Sequence, residues 1–240
     1  MLKSSLGRAR NWISIAAVSL SLCFGGSVNP NDLKTARDHQ DLGALDSGIA
    51  QLRQQAQANP GSADAQYRLA LAYSYAAEVS MELRDKKKSE TYAETGMDIA
   101  KKAVSANASN AEYHRLLGEL CGQVIPANPL LGALKYGQCA RDEIDKALQL
   151  DSKLALAYVS QGVGNYYLPA AMGGGIDVSL KDFDKAISIN PNSGDAYLWK
   201  GIALRKANRG AEARQALQKA VQIDPNRVWA KQQLEKTPAH

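Results

Sequence analysis

Apolar and small residues near the end of the chain recur at helical spacing in two short runs. In GDAYLWKGIALRKANRGAEARQALQKAVQIDPNR, residues 194–227, Tyr197, Gly201 and Leu204 share one face of a helix over about residues 194–207. Ala213, Leu217 and Ala220 share one face of a second helix over residues 210–223. Asn208-Arg209-Gly210 makes the turn between them. Asp224-Pro225 stops the second helix, because proline has no N–H to continue it and restrains the residue before it. Gly201, Ala213 and Ala220 let the two helices approach closely, and Tyr197, Leu204 and Leu217 fill the space around them.

The same pattern recurs upstream. AISINP closes a unit on Pro191, with Phe183 and Ala186 before it and Tyr158 and Gly162 in its first helix. ALQLDS closes another on Ser152, with Leu117 and Gly118 in its first helix. Leu69, Ala70, Tyr73 and Ala103 carry the earliest full unit, and IAQLRQQAQANP, ending on Pro60, is half a unit before it. The steps from Ala70 to Gly118, Gly162 and Gly201 are 48, 44 and 39 residues. Against a 34-residue unit, the first three units therefore carry insertions between their two helices, and the last does not.

Tyr197, Gly201, Leu204, Ala213, Leu217, Ala220 and Pro225 match the large-x3-G-x2-large…A-x3-large-x2-A-x4-P signature of the tetratricopeptide repeat. Lys200 stands where that family usually has Leu. The chain thus resembles the tetratricopeptide repeat family from about Asp46 to Lys236. That resemblance implies an all-α, right-handed α-solenoid of about four helix pairs, with capping helices, that works as a protein-binding scaffold and not as an enzyme. It places the first helices along a concave face. By pattern that face carries Tyr67, Arg68, Leu71, Arg115, Glu119, Val159, Val163, Tyr166, Leu198, Ile202 and Arg205, a mixed apolar and basic set suited to an extended peptide or helix. The Lys/Asn set by which some relatives clamp a carboxylate terminus is replaced here by Tyr67, Leu71, Arg115 and Glu119.

The insertions differ in character. The first contains Gly96 and no proline, so it lengthens both arms, over about residues 63–86 and 89–105, with Ser89 as N-cap of the second. In the second, QVIPANPLLGALKYG, Pro126 and Pro129 end the first helix near Gly122 or Gln123. An irregular apolar segment with Val124, Ile125, Leu130, Leu131, Leu134 and Tyr136 is expected to follow. In the third, YYLPAAMGGGIDV, Pro169 ends a helix, Gly173-Gly174-Gly175 turns, and Asp177 caps the next. This loop, residues 168–175, is similar to that of several exported bacterial tetratricopeptide proteins, among them the T-component proteins of tripartite ATP-independent periplasmic transporters. All three insertions fall at the same turn, so they project from one edge of the solenoid. Leu130, Leu131, Leu134, Leu168 and Met172 there either bind a partner, a second copy or a membrane surface, or fold together as a local core. Val228, Trp229 and Leu234 read as a closing helix.

Before the solenoid, Lys3, Arg8 and Arg10 precede the mostly apolar run of residues 12–24, a pattern that predicts a secretory signal over residues 1–26 and a periplasmic or secreted location. Lipidation at Cys23 and an uncleaved anchor are alternatives. Residues 27–43 are expected as a linker, 44–236 as the solenoid and 237–240 as a tail. The formal net charge of +5 includes three from that signal, so the rest is near neutral and does not argue for nucleic acid. Cys121 and Cys139 flank the second insertion, either as a disulfide or as two buried thiols. The three histidines have no metal spacing, and Gly162-Val163-Gly164 sits within a helix and not after a strand, so no cofactor is expected. Two functions fit: an exported scaffold binding a protein or peptide through its groove or inserted loops, or a periplasmic small-molecule or transport accessory using a pocket between the second and third insertions. Self-association and membrane contact are open.

Overall fold

The computed structural model describes residues 28–125 and 129–238, and the expected signal lies outside them. The described residues are helical and turn structure with no strand, as expected. Two N-terminal helices, α1 (Pro30–Asp38) and α2 (Leu42–Ala58), lead into four hairpins. These are α3 (Ala63–Glu82) with α4 (Lys86–Ala106), α5 (Ala111–Val124) with α6 (Pro129–Leu150), α7 (Ala155–Tyr167) with α8 (Ile176–Ile189), and α9 (Gly194–Lys206) with α10 (Gly210–Ile223). A 3-10 turn, Ala170–Met172, lies in the third hairpin, and α11 (Val228–Glu235) closes the stack. Each first helix also touches the first helix of the next hairpin, from α3 through α5 and α7 to α9, which makes the array a solenoid.

The repeat register rests on close approach. A Cβ on Gly201 would lie 2.5 Å from Leu217 Cγ, and one on Gly162 would lie 2.5 Å from Phe183 Cε1. No side chain can occupy either place without displacing Leu217 or Phe183. Ala213, Leu217 and Ala220 are buried on α10 against this contact, as the spacing requires.

Four local expectations change. Residues 30–38, read as linker, form α1. Asn29 accepts a hydrogen bond from Asn31, Pro30 occupies the first turn, and Leu33 and Ala36 are buried. The N-cap of α4 is Asp85 and not Ser89, which lies buried one turn further in. The cap of α8 is Gly175, at φ 104°, with Asp177 in the first turn. The second insertion is not irregular beyond residue 128. Proline is tolerated in a first helical turn, so α6 begins at Pro129 and runs 22 residues. Among the described residues no helix is long and apolar enough to cross a membrane.

The Cys121 and Cys139 sulfurs are bonded, with Cα atoms 6.0 Å apart, and tie α5 to α6 across 18 residues. The chain-entropy argument for a loop of this size predicts that reduction costs about 3 kcal/mol, read as a lower denaturant midpoint with unchanged slope. Gly201→Leu is expected to destabilise by about 1–3 kcal/mol or more through overpacking. A melting temperature equal to wild type, followed by circular dichroism, would show that Gly201 does not hold the contact assigned to it.

Candidate interaction surfaces

The concave face is largely satisfied from within the chain. Arg115, only 3% exposed, lies between Glu112, whose Oε1 accepts from Nη2 at 2.7 Å, and Glu119. Tyr67 is half-buried, donates to Glu112 Oε1 at 3.0 Å and stacks on Tyr113. Arg68 is also half-buried and donates to the Val28 carbonyl, while Leu71 packs beside the α4–α5 core. Glu119 accepts from Ser74 on α3 at 2.8 Å and from Ser160 on α7 at 3.2 Å.

Three apolar groove residues expected on the surface are interior. Val159 packs with Ala186 and Ala196, and Leu198 and Ile202 pack with Leu217, Ala220 and Ala230, because the neighbouring helices cover that flank. Val163 and Tyr166 are half-buried. Arg205 is held by the end of α11, donating to the Gln233 carbonyl at 3.0 Å and to Gln233 Oε1 at 2.6 Å.

The two ends of the solenoid meet across this face. From α1, Lys34 Nζ reaches Asp224 at the end of α10 at 2.9 Å, and Arg37 Nη1 reaches Asp195 on α9 at 3.0 Å. Arg37 also pairs with Asp38 at 2.8 Å. Arg227, the N-cap of α11 and 1% exposed, donates to Glu78 on α3 at 2.7 Å and to Glu82 one turn later. Gln40 and Gln232 exchange a hydrogen bond of 3.1 Å beside them. No spacing rule brings these residues together, since the pairs are 145 to 190 positions apart in Arg227–Glu82 and Lys34–Asp224.

Desolvation sets the protonation of this cluster. Burial pushes the Glu78 carboxyl up to about 7, against the pull of Arg227 and Arg37. Burial also raises Glu82, again opposed by Arg227. For Asp195 burial acts in the same direction, but Arg37 and Arg227 together outweigh it and hold the carboxyl below its ordinary range.

The inserted edge is more open. Leu134 is 77% exposed on α6, and Tyr167 and Met172 are 57% and 67% exposed in the third hairpin. Leu168 is half-buried over Gly174, and Tyr136 is buried, donating to Glu94 at 2.8 Å. Leu130 and Leu131 lie in α6, and their side chains are outside the described residues. Beside this edge runs an aromatic row that the sequence pattern did not single out. Tyr166 meets Tyr167 and Trp199 edge-on, and Trp199 meets Trp229 at 5.3 Å. Trp229 is half-buried there, at the closing end as expected. His114 is buried in a structural role, with Nδ1 2.6 Å from Glu143 and Nε2 3.0 Å from the Ala108 carbonyl. Two surface clefts, of about 350 and 520 Å3, open around Val28 at the N-terminal end, away from the second and third insertions.

The family model described as regulator of microtubule dynamics protein 1-3 matches residues 33–168, more than half of the chain. The chain belongs to the regulator of microtubule dynamics protein 1-3 family. This family's match runs from α1 to the end of α7, and a tetratricopeptide repeat model matches residues 173–228 beyond it. The regulator of microtubule dynamics match thus takes in Arg37, Asp38, Glu78 and Glu82, while Asp195, Asp224 and Arg227 lie in the repeat match. No curated protein matches the chain. Among solved structures, a thermophilic tetratricopeptide protein of Thermus thermophilus is similar over 85% of this chain and 98% of its own, at 17% identity and a TM-score of 0.60. The HusA haemophore of Porphyromonas gingivalis is similar over 84% and 96%, at 18% identity and a TM-score of 0.52. At these identities the likeness is one of fold, and it is the repeat fold that the spacing predicted. Repeats of this kind are typically non-catalytic scaffolds.

The raised Glu78 fixes the sign of one pH dependence. Its folded carboxyl takes up a proton more readily than its ordinary value of 4.5 allows, so its contribution to stability is fully present below 4.5 and is lost as pH rises to about 7. Asp195, held low, acts oppositely and only at more acid pH, below 3.8. Melting temperatures at pH 5 and 7.5 should therefore differ less in Glu78→Gln, which mimics the protonated side chain, than in wild type. An equal pH response in the two proteins would refute this placement of Glu78.

Proposed function

We propose that the chain is an exported tetratricopeptide scaffold whose partner, a protein or peptide, docks on the edge formed by the inserted turns. The observation that carries this reading is the exposure of Tyr167, Met172 and Leu134 on that edge, while the groove is occupied by the chain's own side chains. Repeat geometry sets neighbouring hairpin turns side by side, so the two inserted turns present their apolar side chains together. The protein-binding use of such repeats supports the scaffold reading. Export is supported by the basic and apolar N-terminus and by the bonded Cys121 and Cys139, which suit an oxidising compartment.

A photo-crosslinking residue placed at Met172 or Leu134 is expected to capture a discrete partner, and one placed at exposed Gln215 on α10 is not. Met172→Asp and Leu134→Asp should abolish capture at the neighbouring position without lowering the melting temperature. Loss of capture only in proportion to loss of folded protein would mean that the edge is core and not a docking surface. Intact mass of the exported chain is expected to show a start near Ser27.

A further inference from the structure

The apolar interior falls into two groups. One pair of clusters draws on residues between Val28 and Ala140 and is joined through Tyr92 and Ile99. The other three draw on residues between Tyr158 and Leu234 and are joined through Trp199. Among the described residues, none of the five apolar clusters draws on both sides of the turn between α6 and α7, and the apolar residues buried beside that turn, Ile144, Ala147 and Ala157, belong to none of them. Leu150 and Leu156, which flank that turn, remain 38% and 43% exposed. One contact across it on the groove side is polar, from Ser160 to Glu119.

Across the groove, the two ends of the solenoid are joined by charge. Lys34, Arg37, Asp38, Glu78 and Glu82 belong to the first half, and Asp195, Asp224 and Arg227 to the second. These are the groups that face Glu78 and its neighbours, together with the Tyr75 hydroxyl. Five carboxyl groups meet three cations there. A buried ion pair gains Coulomb energy but loses the hydration of both partners, and the two nearly cancel. Separating such a contact returns each charge to water. Separating an apolar cluster has no such compensation. The molecule is therefore weakest between its two apolar halves and strongest within each.

We propose that the protein opens as two bodies hinged at the α6–α7 turn, and that the Arg37–Asp195 and Arg227–Glu78–Glu82 contacts are the clasp that holds it shut. Opening parts the groove faces of α3 and α9. The consequence for partner access rests on the scaffold reading given above, and the hinge itself does not.

Pairs of nitroxide labels on introduced cysteines test the motion in the full chain carrying Cys23→Ser, with Cys121 and Cys139 left bonded. Exposed Gln51 and Gln218 span the clasp, Gln51 and Lys102 lie within the first half, and Lys181 and Gln218 lie within the second. In the double variant Arg37→Gln, Arg227→Gln, the spanning distance should lengthen and broaden while both internal distances stay as in wild type. If that variant loses helicity, Glu82→Gln, which keeps the side chain's size and removes one charge, is read in the same way. A spanning distance unchanged in the folded variant overturns the clasp. Internal distances that broaden along with the spanning one overturn the hinge, because the halves would not then be separate bodies. The distances are measured without a partner, so they stand or fail apart from the docking result at Met172.

Discussion

A single helical hairpin of this chain cannot bury its own apolar face, and the contact that gives each hairpin its shape is the close seating of a large side chain of one helix on a glycine of the other. Gly201 against Leu217, and Gly162 against Phe183, leave no room for a side chain. Small residues at these points set how closely the helices of a hairpin lie. The larger residues around them, Leu204 and Leu217 in the last unit, then seal the space. The insertions are accommodated because they enter at the turn, away from this contact. Helices α3 and α4 lengthen, α6 starts early, and the third hairpin makes a short 3-10 turn, all without disturbing the approach of the paired helices.

That contact is why the fold was legible. Glycine and alanine at fixed offsets report a local requirement, and each unit carries it within a few dozen residues. What was illegible depended on distance or on composition. Residues 30–38 looked like linker because only Leu33 and Ala36 are buried apolar positions among polar ones, yet a cap at Asn29 and a proline in the first turn suffice for one short helix resting on α2 and α3. The segment after Pro126 looked irregular because proline was read as an ending, and Pro129 is a beginning.

The concave face shows the same limit more sharply. Glu78, Glu82 and Asp195 look, one at a time, like the solvated charges of ordinary helices. Their partners sit on other helices or at the far end of the chain, and no periodicity announces them. The pattern that put Leu198 and Ile202 in an open groove assumed a regular superhelix with a free inner surface. The packing of α11 beside α9 and the meeting of the two ends cover that surface instead.

The joining of the ends also bears on how this array can change over generations. An open repeat protein can gain or lose a unit with little consequence, since each unit answers only to its neighbours. Here Lys34 must find Asp224, and Arg227 must find Glu78, so the first unit also answers to the last. Duplicating a hairpin would carry Arg227 away from its carboxylates and strand a guanidinium in a dry place. Deleting one would leave α1 facing the wrong helix. The charges at the two ends thus count the repeats, and a change in copy number would have to be matched by a change of charge at both.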